Sequence, residues 1–158
     1  MKKQHIPDEA FAPLAAVVAG PGLALGVAWE NGQAAQVDLA DWVGEHPRLA
    51  VLKDRALFER AELSEARDCV HWGDEENGPV IDGLHLWFLW KEQQGLPLIP
   101  DAFRRWRARH GLTVAQAAKA LGMGPRMVSY YESGQSYIPL TVALACRGWE
   151  ALEGQRAA

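Results

Sequence analysis

The stretch Leu112-Thr113-Val114-Ala115-Gln116-Ala117-Ala118-Lys119-Ala120-Leu121-Gly122-Met123-Gly124-Pro125 decides how the carboxyl-terminal part of the chain folds. Thr113 and Gln116 stand at capping-box spacing: the threonine hydroxyl accepts from the Gln116 amide, and the glutamine side chain reaches back to the threonine amide. The helix that begins there stops at Gly122, a residue suited to a left-handed C-cap. The adjacent alanines Ala117 and Ala118 let a neighbouring helix come close. Gly122-Met123-Gly124 forms a turn, and Pro125 then takes a first helical position, where its missing N–H costs nothing. The second helix runs to Ser133 and ends at Gly134. Its Val128 and Tyr131, three apart, point inward, whereas Arg126, Ser129, Tyr130 and Ser133 point out.

Upstream, Pro100-Asp101 reads as the N-cap of a helix that reaches His110 before Gly111 stops it. Phe103, Trp106 and His110 share its inner face, and Arg104, Arg105 and Arg109 lie on its outer sides. Downstream of Pro139, the residues Val142, Ala145, Cys146, Trp149 and Leu152 recur as the apolar stripe of a last helix. Two short capped helices around a glycine-containing turn, preceded by an arginine-rich helix, make a helix-turn-helix. Such a unit suits double-stranded DNA. An α-helix fits the major groove, where the second helix offers its N-terminal side chains to base edges. The arginines of the first helix neutralise phosphates and fix the register.

The run Leu112 to Gly124, followed by Val128-Ser129-Tyr130-Tyr131-Glu132-Ser133-Gly134, resembles the lambda-repressor-like, Cro/Xre class of helix-turn-helix domains. The resemblance implies roles position by position. Arg107 and Glu132 match a pair that forms a structural salt bridge between the first and third helices. Arg126, Ser129 and Tyr130 match positions that reach bases, and Thr113 and Gln116 lie where the second helix meets the DNA backbone. Two positions depart from the pattern: Val114 stands where members often carry Gln, and Pro125 where many carry a polar residue. The whole chain also resembles a two-domain bacterial type in which a small α+β domain of unknown function precedes the helix-turn-helix. That likeness rests on the hairpin at Glu30-Asn31-Gly32, on Val37-Asp38-Leu39, and on Leu52-Lys53-Asp54 with Leu57-Phe58.

The first part of the chain reads as strands before helices, hence α+β. Val17-Val18-Ala19, the turn Gly20-Pro21-Gly22 and the run Leu23 to Trp29 give strand, turn, strand. Leu23, Leu25, Val27 and Trp29 alternate at period two, so one face is buried. Asn31-Gly32 accepts positive φ at both turn positions, and Gln33 to Leu39 returns with Ala35, Val37 and Leu39 inward. Asp41 is placed to cap a helix from Trp42 to Glu45, and a second helix is expected from Asp54 to Ala61. Cys69-Val70-His71-Trp72 reads as a strand, Glu76-Asn77-Gly78 as a turn, and Leu84 to Gln94 as a helix ending at Gly95. Trp87 and Trp90 on that helix suit a core, a subunit interface or a ligand pocket.

Charge separates the two parts. The chain holds 16 Lys/Arg and 20 Asp/Glu, a net −4. Residues 1–95 hold eight against sixteen, a net −8, and residues 96–158 hold eight against four, a net +4. The expected domains are therefore 1–95, acidic, and 96–158, the part that meets a polyanion.

Other classes are disfavoured. The balance of 49% hydrophobic and 23% charged residues is that of a globular chain. No apolar run reaches the roughly 18 residues of a membrane span. Lys2 and Lys3 ahead of Phe11 to Ala28 imitate a secretory signal, but Asp8, Glu9, Pro7, Pro13 and Pro21 interrupt it. Two unpaired cysteines, Cys69 and Cys146, suit a reducing, cytoplasmic setting. His71, Asp74, Glu75, Glu76 and His85 match no metal-ligand spacing. No nucleophile elbow, phosphate loop or dinucleotide fingerprint is present, so no enzyme, metal or cofactor is expected.

The sequence thus implies a sequence-specific DNA-binding protein, a transcriptional regulator acting as a homodimer because one such module reads only a half-site. Its amino-terminal domain would take a protein partner or small ligand. The alternative is an antitoxin-like or adaptor protein whose acidic domain binds a protein partner.

Overall fold

The computed structural model describes residues 6–157; Lys2 and Lys3 lie outside them. The described residues divide into two compact units, one of Pro7–Trp90 and one of residues 91–157 together with Ile6. The first is α+β and the second all-α.

In the first unit β1 (Leu14–Ala19), β2 (Ala24–Trp29) and β3 (Ala34–Asp38) form an antiparallel meander in that order. Its register pairs Val17 with Val27 and Leu25 with Val37. Because side chains alternate across a strand, Leu25, Val27, Trp29 and Val37 fall on one buried face. The β2–β3 connection is a three-residue loop, Glu30-Asn31-Gly32, closed by Trp29 N–H donating to the Gln33 carbonyl at 2.8 Å. Within this loop only Gly32 has positive φ, at 90°. The connection thus spans the expected Glu30-Asn31-Gly32, but with one left-handed residue at its end instead of two, Asn31 keeping negative φ. Asn31 Oδ1 accepts from Gln33 N–H at 3.0 Å and holds it.

Helix α1 (Ala40–Glu45) begins earlier than expected, and its first amide is met by Asp38 Oδ1 at 2.9 Å rather than by Asp41. A 3-10 segment, Pro47–Lys53, leads into α2 (Arg55–Phe58), whose N-cap Asp54 accepts from Ala56 N–H at 3.0 Å. The expected helix to Ala61 is cut short. Ala61–Leu63 is instead strand β4, paired with β5 (Cys69–Trp72), and β6 (Val80–Asp82) completes a second antiparallel sheet in the order β4-β5-β6. Phe58 stacks on Trp72 with centroids 5.9 Å apart, and Trp72 Nε1–H donates to the Phe58 carbonyl at 3.1 Å. Trp42 packs on Trp72 and edge-on to His85. Helix α3 (Gly83–Gln93) buries Leu86, Trp87 and Leu89, and its Trp90 stacks on Trp29 at 5.4 Å. Both tryptophans therefore serve this core.

The second unit contains α4 (Pro100–Arg109), α5 (Val114–Leu121), α6 (Pro125–Ser133) and α7 (Leu140–Ala157). Helix α4 is entered from Ile99 with Pro100 at its first turn, and no side chain caps it. The α5 capping box forms as a pair of bonds: Gln116 N–H to Thr113 Oγ1 at 3.1 Å and Thr113 N–H to Gln116 Oε1 at 2.9 Å. Left-handed glycines end α5 and α6, Gly122 at φ 68° and Gly134 at φ 78°. Phe103, Trp106, Ala117, Ala118, Val128, Tyr131, Ile138 and Cys146 form the core. Burial pushes the Cys146 thiol up to about 12, so it stays protonated. Leu152, expected in the α7 stripe, lies on the surface; Ala143 is buried instead. Among the described residues, no helix is long and apolar enough to cross a membrane.

Replacing Phe58 by Ala removes a fully buried ring and its stack on Trp72. The expected cost is about 3–5 kcal/mol, read as an earlier urea transition of the first unit. A loss below about 1 kcal/mol, the range of a surface substitution, would contradict this core assignment.

Candidate nucleic-acid interface

The geometry of the second unit begins with one ion pair. Arg107 on α4 grips Glu132 on α6 through two bonds: its Nε–H donates to Glu132 Oε1, and an Nη2–H donates to Oε2 at 3.1 Å. An Nη1–H of the same guanidinium donates to the Leu112 carbonyl at 3.0 Å, at the entrance to α5. Both side chains are largely shielded, which strengthens the attraction relative to a surface pair. The Glu132 carboxylate holds the guanidinium above its ordinary value. One side chain thus ties the ends of three elements together.

With α6 fixed, its outer face is defined. Val128 and Tyr131 are buried, and Tyr131 meets Phe103 edge-on at 5.8 Å. Arg126, Ser129 and Ser133 are exposed, and Tyr130 is half-buried. The Ser133 hydroxyl turns back to the Tyr130 carbonyl at 3.3 Å. On α5, Thr113 and Gln116 are exposed at the helix start, although both are engaged in the capping box. Thr113, Gln116 and Arg126 thus flank the N-terminal ends of successive helices, whose free amides favour an anion.

The arginines of α4 are placed differently from one another. Arg105 makes a fork to Glu92, with Nε–H at 2.6 Å from Oε1 and Nη2–H at 2.7 Å from Oε2, and both groups are largely shielded. The expectation that Arg105 faces phosphate gives way to this internal pair. Arg104 pairs with Asp101, and its Nη1–H donates to the Glu132 carbonyl at 2.6 Å, satisfying the end of α6. Arg109 donates to Glu150 Oε1 at 3.2 Å. Beside it, His110 Nε2 lies 2.8 Å from the same oxygen, with its ring edge-on to Trp149 at 5.0 Å.

Charge counting in sequence missed this internal consumption of the arginines. It also passed over Lys119, exposed on α5 three residues after Gln116 and therefore on the same face. Among the described residues of this unit, Lys119, Arg126 and Arg147 are the lysines and arginines past Gly95 that have no acidic partner within 4.0 Å. In the first unit, the His71 ring is buried with Nδ1 3.3 Å from the Gly73 carbonyl, and Asp74 accepts from the Glu76 amide at 3.0 Å. No group of three or more potential metal ligands occurs among the described residues.

Comparison with known proteins places this geometry. The family described as "Helix-turn-helix domain" matches residues 101–157. A crystal structure named "Putative DNA Binding Protein NE0471 from Nitrosomonas europaea ATCC 19718" is 37% identical, covering 89% of this chain and 88% of that one at a TM-score of 0.50. No curated protein matches the chain.

Replacing Glu132 by Gln keeps its shape and removes its charge. The expected loss is about 1.5–3 kcal/mol, the scale of a hydrogen bond to a charged group, measured as the urea midpoint of the helical unit. An unchanged midpoint would show that the Arg107 grip does not hold α6. Alike to that Nitrosomonas protein over most of both lengths, the chain belongs to the same family, and its α+β part precedes a helix-turn-helix domain.

Proposed function

We propose that the protein binds double-stranded DNA in a sequence-specific manner, lays α6 in the major groove, and regulates transcription as a cytoplasmic homodimer. The observation that carries this reading is the exposed, unpaired Arg126 in the first turn of α6, on a helix whose orientation the Arg107–Glu132 pair fixes. The family match and the name of the Nitrosomonas protein support it. They fit the lambda-repressor-like, Cro/Xre class that the sequence resembles.

In this reading Arg126 takes a base edge, with Ser129 and Tyr130 beside it. Ser133, at the far end of α6, reaches at most the sugar-phosphate backbone. Thr113, Gln116 and Lys119 meet phosphates at the start and along the outer face of α5. Arg104 and Arg109 are exposed but already paired. Exposed pairs are weak, so either can exchange its carboxylate for a phosphate at small cost. Arg105 stays with Glu92 and leaves the contact set. A dimer is required because a single α6 covers one half-site. No catalytic role is assigned to any residue. The net −8 of residues 1–95 makes that part unsuited to phosphate and suited to a ligand or a protein partner.

The test is selection of duplexes from a random pool, followed by titration of three variants. Arg126→Ala is expected to weaken the selected site by about 1–3 kcal/mol and to relax its sequence preference. Lys119→Ala should weaken all duplexes alike and reduce the salt slope by about one unit. Arg105→Ala should leave the salt slope unchanged. If no sequence is enriched and retention is weak and uniform, the antitoxin-like or adaptor reading takes over.

A further inference from the structure

Strand β3 is an edge of the first sheet: β2 lies on one side, and among the described residues no strand pairs with the other. Trp29 N–H donates to the Gln33 carbonyl at 2.8 Å, and Leu39 N–H to the Leu23 carbonyl at 2.9 Å. Gln33 and Leu39 therefore turn their backbone toward β2. Peptide groups alternate along an antiparallel strand, so Ala35 and Val37 do the same. The N–H and C=O groups of Ala34 and Gln36 then point away from β2, roughly 7 Å from one residue to the next. Such a row is a template for one more strand.

Lysine, proline and bulges are common guards of an edge. Ala34-Ala35-Gln36-Val37-Asp38 has neither residue, and its register with β2 runs without a shift. The outward face beside it is open as well. Ala16, Ala28 and Ala34 form one row across the sheet, and Val18, Gly26 and Gln36 the next. These six line a shallow trough. A Cβ at Gly26 would lie 2.9 Å from Val18 Cγ1, so the glycine lets Val18 lean across β2. Side chains of an added strand have room against such small neighbours.

Charge decides which chain fits. Residues 30–45, which include β3 and its flanks, hold Glu30, Asp38, Asp41 and Glu45 and no lysine or arginine. Arg67 approaches Glu30 only to 3.8 Å, in an exposed and therefore weak pair. An acidic segment, a nucleic acid or a second copy of this edge would meet its own sign. We propose that β3 is the docking edge for an extended, lysine- or arginine-rich segment of a protein partner, which pairs its backbone with Ala34 and Gln36 as a fourth strand of the sheet. Backbone bonds supply the affinity, and the acidic flanks select the sign of the segment. The inference names the partner chemistry of the acidic unit and rests on the reading that this unit takes a protein partner.

Amide hydrogen exchange of the full chain, read by NMR, tests it with synthetic probes of about seven residues, the length of an ordinary strand. One peptide alternates lysine with valine, and one alternates glutamate with valine. A third is the lysine peptide with every backbone amide methylated. In the free protein the Ala34 and Gln36 amides are expected to exchange fast, and those of Ala35 and Val37 slowly. At saturation the lysine peptide should slow Ala34 and Gln36 by about tenfold or more, while the other two leave them unchanged. Gln36→Pro removes an outward donor and none of the ladder to β2, and should weaken the lysine peptide about tenfold. If that variant does not fold, the methylated peptide decides alone. A Gln36 amide already slow in the free protein, equal binding of the lysine peptide and either control, or no protection at β3 overturns the proposal. A lysine peptide held elsewhere on residues 7–90 would do so and spare the protein-partner reading. Peptides held nowhere on that unit would count against both.

Discussion

The Arg107–Glu132 pair is the constraint on which the helical unit depends. Helix α6 is short, and isolated helices of that length do not hold together in water. Its own hydrogen bonds do not set its direction. Burial of Val128 and Tyr131 presses it onto α4 and α5, but apolar packing alone is tolerant of small rotations. A forked pair with a third bond to Leu112 is not tolerant, since guanidinium and carboxylate are both planar. Rotation of α6 would leave two partly shielded charges unpaired. The outer face, including Arg126, is therefore held in one direction before any ligand arrives.

The same chemistry explains why few of this unit's arginines are available to a polyanion. Glu92, Asp101, Glu132 and Glu150 each take an arginine. The net +4 of residues 96–158 is thus spread unevenly, and Lys119 and Arg126 carry much of what remains unpaired on α5 and α6. Net charge says that a polyanion is welcome; pairing says where.

What is legible in the sequence is local. The α5 capping box, the left-handed Gly122 and Gly134 and the proline at the start of α6 depend on neighbours within a few residues. So do the alternating residues of β2, and the structure bears out each of these. What is not legible is set by distant partners. Arg105 is joined to Glu92 across 13 residues of chain, and no periodicity marks that pair. Ala61 reads as the end of a helix until its pairing with Trp72 is known. Leu152 continues an apolar stripe by spacing, yet the core ends before it and the residue stays outside. Asp38 and Asp41 both suit the start of α1, and only backbone geometry selects Asp38.

The most direct test asks which groove the protein reads. Guanines of a selected duplex are methylated at N7, a major-groove atom, and the fraction still bound is sequenced. The account predicts interference at two clusters separated by about ten base pairs, with Arg126→Ala erasing the pattern. Binding indifferent to N7 methylation, in wild type and variant alike, would contradict it.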